Sequence, residues 1–139
     1  MSKGINRIIQ EDREKEFFKV KAFHHLEWFV NDAQSVTQMF KIGFGMKIVA
    51  VSKHETGNHS YASYVLQSAN VKWVVTAPYL SEFEHPDNNA PLKNFDKDSF
   101  SGLVRNHGNG VGAIGILVDD AAAAHRISTA HGAPSMLFV

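Results

Sequence analysis

Residues Val20 to Val30 alternate between two faces and turn fully apolar at their end. Phe23, His25, Glu27 and Phe29 share one face; His24, Leu26, Trp28 and Val30 share the other. That period of two, rich in aromatic residues, predicts a strand. Asn31 and Asp32 are suited to capping a helix that follows. In that helix Val36, Met39, Phe40 and Ile42 form the stripe expected to be buried, with Gln34, Ser35, Gln38 and Lys41 facing out. Gly43 or Gly45 ends it, since a left-handed cap is cheapest in glycine. Three strands are then expected, over Lys47 to Lys53, Ser60 to Gln67 and Val71 to Ala77. The turn Glu55-Thr56-Gly57-Asn58 lies between the first two, and Ser68-Ala69-Asn70 is a hairpin turn. Ala62, Tyr64 and Leu66 fall on one face, as do Val71, Trp73, Val75 and Ala77. Pro78 stops the last strand because it cannot donate to a ladder. The predicted order is β-α-β-β-β.

Leu80 to Asn94 is a long polar connection. Asp96 or Asp98 caps a short helix carrying Phe100, Leu103 and Val104, closed by Gly108 and Gly110. A strand from Val111 and a helix over Asp120 to His131 follow. The helix is expected to bury Ala124, Ile127 and Ala130 or His131, with Gly132 and Pro134 ending it. Met136 to Val139 reads as the start of another strand. This second stretch partly repeats the first: His25 to Ala33 aligns with Ala113 to Ala121, matching Val30 to Val118, Asp32 to Asp120 and Ala33 to Ala121. Repeated units of this kind pack to share a core. The expected organisation is a polar arm over residues 1–19, with a helix over Glu11 to Phe17, and one domain over 20–139. Within it lie module one at about 20–79, a connection at 80–110 and a truncated module two at 111–139. An unfinished second module exposes the strand from Val111 to Val118, with Ile114, Ile116 and Leu117, and predicts self-association.

Composition narrows the function classes. The 139 residues fit one domain, and 44% hydrophobic content supports a real core. Lys+Arg and Asp+Glu balance at 14 each, which argues against a dedicated nucleic-acid or anionic-membrane binder. Cysteine is absent. Disulfides, a thiolate nucleophile and a cysteine-based zinc site are thereby excluded, and a reducing cytoplasm is compatible. No apolar run is long enough for a membrane helix. Met1 to Lys19 lacks the apolar core of a secretory signal.

Few motifs carry chemistry. Gly110-Val111-Gly112-Ala113-Ile114-Gly115 fits a dinucleotide-binding spacing. That motif must follow a strand and open a helix, whereas here it leads into a strand, so nucleotide binding is rejected. Among eight histidines, His25 lies two residues from Glu27 on one face, a feasible pair for a divalent metal. His24 and His25 should point to opposite faces, so only one would join a given site. His54 and His59 flank a turn and read as solvated; His85, His107, His125 and His131 fall in loops or near helix ends. No Gly-x-Ser-x-Gly elbow exists, which argues against a nucleophilic hydrolase. Trp28, Phe29, Tyr61, Tyr64, Trp73 and Tyr79 are expected mostly in the core and at interfaces, with a ligand cleft the lesser reading.

The segments Phe23-His24-His25-Leu26-Glu27-Trp28, Gly43-Phe44-Gly45-Met46, Glu55-Thr56-Gly57-Asn58, Thr76-Ala77-Pro78-Tyr79, His107-Gly108-Asn109-Gly110-Val111 and Val118-Asp119-Asp120-Ala121 together resemble the N-terminal domain of the 4-hydroxyphenylpyruvate dioxygenase family. The likeness runs from about Val20 to Pro134 and rests on order and spacing rather than on one diagnostic motif. It implies an α+β, vicinal-oxygen-chelate fold of paired β-α-β-β-β modules. It also implies a parent enzyme that uses non-haem Fe(II) to convert 4-hydroxyphenylpyruvate and O₂ to homogentisate and CO₂ in tyrosine catabolism. In that family the iron sits in a C-terminal catalytic domain on two histidines and a glutamate, and the N-terminal domain supports packing and oligomerisation. His25 occupies the position of a first ligand, but its counterpart in the half-repeat is Ala113, which has no donor atom. No catalytic, cofactor-binding or metal-binding residue is therefore assigned, and no metal is expected on this chain. Two other readings stand beside this one. One is a stand-alone vicinal-oxygen-chelate protein that binds a small aromatic ligand. The other is a small metal-dependent lyase or dioxygenase whose site forms across a dimer from His25 and Glu27.

Overall fold

A computed structural model of the chain describes residues 17–80, 85–93 and 95–135. The helix expected over Glu11 to Phe17, apart from Phe17 itself, and the strand expected from Met136 lie outside the described residues. Among the described residues the order is β1 (Val20–Phe29), α1 (Ala33–Gly43), β2 (Lys47–Ser52), a single 3-10 turn (His54–Thr56), β3 (Tyr61–Ser68), β4 (Val71–Pro78), α2 (Lys97–His107), β5 (Gly110–Val118) and α3 (Ala121–Ala130). The first five regular elements form the β-α-β-β-β unit that the hydrophobic pattern predicts, and the architecture is α+β.

Each helix starts where an aspartate satisfies an otherwise orphaned amide. Asp32, Asp96 and Asp120 accept the backbone N–H of Ser35, Ser99 and Ala123. Asp96, not Asp98, thus caps α2. The matched residues of the half-repeat, Asp32 and Asp120, do the same work in both copies. α1 ends at Gly43, and the next glycine, Gly45, takes a positive φ of 64°.

The strands form one sheet in the order β2-β3-β4-β1-β5. β3 and β4 are an antiparallel hairpin whose register pairs Ala62 with Ala77, Tyr64 with Val75 and Leu66 with Trp73. The two faces read from alternation are therefore one continuous face. β1 runs parallel to β4, from Leu26 opposite Trp73 to Phe29 opposite Thr76. A register shift in β2 places both Ile48, opposite Leu66, and Val51, opposite Tyr64, toward the core, which strict alternation would not allow.

α1 covers that face. Val30, Ala33, Phe40, Met46, Tyr64, Leu66, Val75 and Ala77 are buried together, with Trp28, Val36, Ile48, Val51, Ala62 and Trp73 packed around them. The α1 stripe differs from the expected one. Ala33, Thr37 and Phe40 are buried, while Met39 and Ile42 are 57% and 82% exposed. Small side chains at residues 33 and 37 let the helix approach the sheet closely, and this rotates the longer apolar residues to its flank. In α2, Phe100 and Val104 are buried and Leu103 is half-exposed. α3 buries Ala124 and Ile127, but Ala130 and His131 are exposed, so its buried stripe ends one turn earlier than expected.

Two compact units are distinguishable. The larger spans residues 23–116 and contains the core above. In the smaller, residues 17–22 meet residues 117–135: Lys21 pairs with Asp119, the Asp119 amide donates to the Lys19 carbonyl, and Phe17 packs against His131.

Candidate functional site

Period-two geometry sends Glu27 and Phe29 to the sheet face opposite α1. There Glu27 is engaged in a polar chain across three strands. Thr76 Oγ1 donates to Glu27 Oε1 at 2.6 Å and lies 3.1 Å from Ser63 Oγ. Thr76 is fully buried, so this bonding offsets the cost of desolvating its hydroxyl. Tyr61 is buried and accepts the Leu92 amide at 3.1 Å. Burial pushes its phenol pKa up, the Leu92 amide opposes this, and the Glu27 charge adds to the rise.

His25 does not join Glu27 in a donor set. Its Nδ1 lies 2.8 Å from Nδ1 of His24, and the two rings meet edge to face with centroids 5.1 Å apart. The expectation that adjacent histidines diverge is corrected here. Both rings line the mouth of an apolar groove, where they have room to turn toward each other. The His25 ring also lies against the backbone of Gly115, where an added Cβ would come within 2.3 Å of it. Gly112 gives the same clearance to Phe29, whose ring packs on Phe100 with centroids 4.1 Å apart. The glycine spacing that imitates a nucleotide motif thus makes room for two rings against β5.

Two of the openings in the larger unit lie beside these residues. An apolar groove of about 430 Å³ is lined by Phe23, His24, His25, Leu26, Trp73 and Ile114 among others. A more polar cleft of about 330 Å³ is lined by Asp32, Lys53, His54, Glu55, Tyr64 and Tyr79 among others. Lys53 and Glu55 pair across its edge at 3.0 Å. The aromatic set falls mostly in the core, as expected. Trp28 and Trp73 pack on Phe40, Tyr64 is buried, and Tyr61 lies against Phe95. Tyr79 differs, because it stacks on His54 at the cleft.

His54 and His59 are not separately solvated. Their Nδ1 atoms lie 2.8 Å apart, and His85 stacks on His59. The sequence carried a signal for this: the five-residue separation across a closed turn brings both ring positions to its mouth. His125 lies mid-helix in α3, with Nε2 3.0 Å from Ser135 Oγ, rather than near a helix end.

Among the described residues no three His, Asp or Glu side chains converge as a metal site requires. The iron implied by the resemblance therefore does not fit here. His25 is turned to His24, Glu27 is held by Thr76, and the half-repeat offers Ala113 where a second donor would stand. Among the described residues no helix is long and apolar enough to cross a membrane.

The sheet order and the β-α-β-β-β unit are those of the vicinal-oxygen-chelate fold. Solved structures agree. A mutant 4-hydroxymandelate synthase from Streptomyces coelicolor superposes with a TM-score of 0.68 at 20% identity, over 85% of this chain and 32% of that one. Methylmalonyl-CoA epimerase from Mycobacterium tuberculosis gives 0.59 at 15% identity, over 88% and 71%. In sequence the chain is similar to 4-hydroxyphenylpyruvate dioxygenases, as the resemblance to their N-terminal domain indicates. It is 40% identical over 134 residues to the enzyme of Arabidopsis thaliana and 38% identical over 130 residues to that of Daucus carota. Each match takes in 94% of this chain but only 30% and 29% of the relative, so the chain spans about a third of the length of the curated relatives it matches. No protein-family model matches it.

Proposed function

We propose that this chain is the N-terminal, non-catalytic part of a 4-hydroxyphenylpyruvate dioxygenase. One observation carries the reading: 38–40% identity along 94% of the chain to enzymes of that name, confined to 29–30% of their length. The parent protein converts 4-hydroxyphenylpyruvate and O₂ to homogentisate and CO₂, in the cytoplasm, as a step of tyrosine catabolism. Its Fe(II) belongs to a C-terminal catalytic domain of the same enzyme. Residues 1–19 act as an arm, residues 20–139 as the N-terminal domain, and no residue of this chain is catalytic. The domain serves packing and homo-oligomerisation. The open strand β5 supports this role, since Val111, Ile114, Ile116 and Leu117 are all exposed on it.

Metal analysis tests the reading. The chain is expected to retain no stoichiometric Fe(II) or Zn(II) after dialysis near neutral pH. About one metal per chain, lost on His25→Ala, would favour the lyase or dioxygenase alternative built from His25 and Glu27.

A further inference from the structure

Away from the Glu27 face, the larger unit holds a run of four rings. Tyr79 stacks on His54 with centroids 3.9 Å apart and planes 17° from parallel. His54 Nδ1 lies 2.8 Å from His59 Nδ1. His59 then stacks on His85 at 3.8 Å and 16°. The rings come from the turn after β2, the end of β4 and the segment 85–93. The same segment is tied to the turn by its backbone and amides. The Asn89 N–H donates to the Gly57 carbonyl at 2.8 Å, the His59 N–H donates to Asn88 Oδ1 at 3.0 Å, and Asn88 Nδ2 donates to Ser60 Oγ at 2.7 Å.

A hydrogen bond between two imidazole nitrogens needs a lone pair on one of them, hence at least one neutral ring. A stacked pair of imidazoles accommodates two neutral rings and opposes two charged ones. The geometry points to a pH-operated clasp: neutral His59, at the centre of the run, holds residues 85–93 against the turn, and its protonation between His54 and His85 releases them. Among the described residues, other charges lie on the turn and on the held segment. Lys53 and Glu55, on the turn, are paired with each other. Asp87, on the held segment, favours a charged His59 and opposes release. Tyr79 stays neutral, its phenol pushed up by burial.

The direction follows from linkage. Desolvation first, then the charges of His85 and His54, hold the His59 pKa below its ordinary value of 6.5. The closed form therefore binds this proton more weakly than the open form. The clasp is fully held above pH 6.5 and loosens as pH falls through the lower His59 value. Because His54 and Tyr79 also line the polar cleft, release alters the wall of that cleft.

Amide hydrogen exchange on the full chain tests the clasp, with rates corrected for the intrinsic effect of pH. Between about pH 7.5 and pH 5, protection of the Asn89 and Leu92 amides should fall by about threefold or more relative to the amides of β4. In His59→Gln that difference should vanish. Asn89 protection that tracks β4 at every pH, or a pH dependence that survives in His59→Gln, overturns the proposal. If His59→Gln fails to fold, the titration of the His59 ring followed by NMR decides. Its midpoint should rise in His85→Gln, where one opposing charge is gone, and an unmoved midpoint contradicts the clasp.

Discussion

Gly112 and Gly115 show how a residue's meaning depends on its neighbours. Their spacing suggests phosphate binding, and the strand that follows them excludes it. What they do instead was not legible, because the rings they accommodate lie far away in sequence, on β1. An added methyl group would meet the Phe29 ring at 2.2 Å in one case and the His25 ring at 2.3 Å in the other. Phe29 is wedged against Phe100, whereas His25 lines the apolar groove and has open space beside it. Gly112→Ala should therefore destabilise by about 2 kcal/mol and Gly115→Ala by clearly less. Urea midpoints of the two variants check the order, and equal effects would mean that Phe29 is not confined. Trp28 supplies a second prediction. It contacts Phe40 and Trp73 in the core, and its indole Nε1 is buried without a partner. Trp28→Ala should cost about 3 kcal/mol, while Trp28→Phe, which discards the unpaired donor, should cost much less. An unchanged midpoint in Trp28→Ala would place the ring outside the core.

At the scale of elements, starts were easier to read than faces. Asp32 and Asp120 were legible as caps because one side chain and one amide decide the matter locally. The buried stripe of α1 was not, since it depends on how closely Ala33 and Thr37 let the helix approach the sheet. The inward turn of both Ile48 and Val51 likewise rests on a bulge that no local pattern announces. Asp32→Ala should lower stability by about 1 kcal/mol through loss of the α1 cap. The cap also has a pH signature. Hydrogen bonds from the Ser35 hydroxyl and then its amide hold the Asp32 carboxyl below its usual 3.8. A depressed folded pKa means that the stabilisation is complete above the unfolded value and is lost as pH falls through the folded one. The gap in stability between the parent and Asp32→Ala should thus be constant near neutrality and close below about pH 4. Chemical denaturation across that range measures it, and a gap that persists at low pH would assign the effect to packing.

For the whole molecule, the repeat of strand, acidic cap and helix made the fold legible, and the ordered segments made the relatives legible. The candidate site was only half legible. Ala113 shows from the sequence alone that the half-repeat offers no second donor opposite His25, but the bond of His25 to His24 and the grip of Thr76 on Glu27 required three strands in register. The run of His54, His59 and His85 was missed because its members are joined by a turn and a connection rather than by one periodic element. Exposed apolar residues on β5 predict at least a dimer at micromolar concentration, and light scattering after size exclusion would show it. A monomer near 15.4 kDa throughout would mean that this edge is covered within one chain. The central claim is that the chemistry lies outside this chain. The most direct test incubates the purified chain with 4-hydroxyphenylpyruvate, O₂, Fe(II) and ascorbate and measures homogentisate. No product above a protein-free control is predicted. Homogentisate that scales with the amount of this polypeptide would contradict the account.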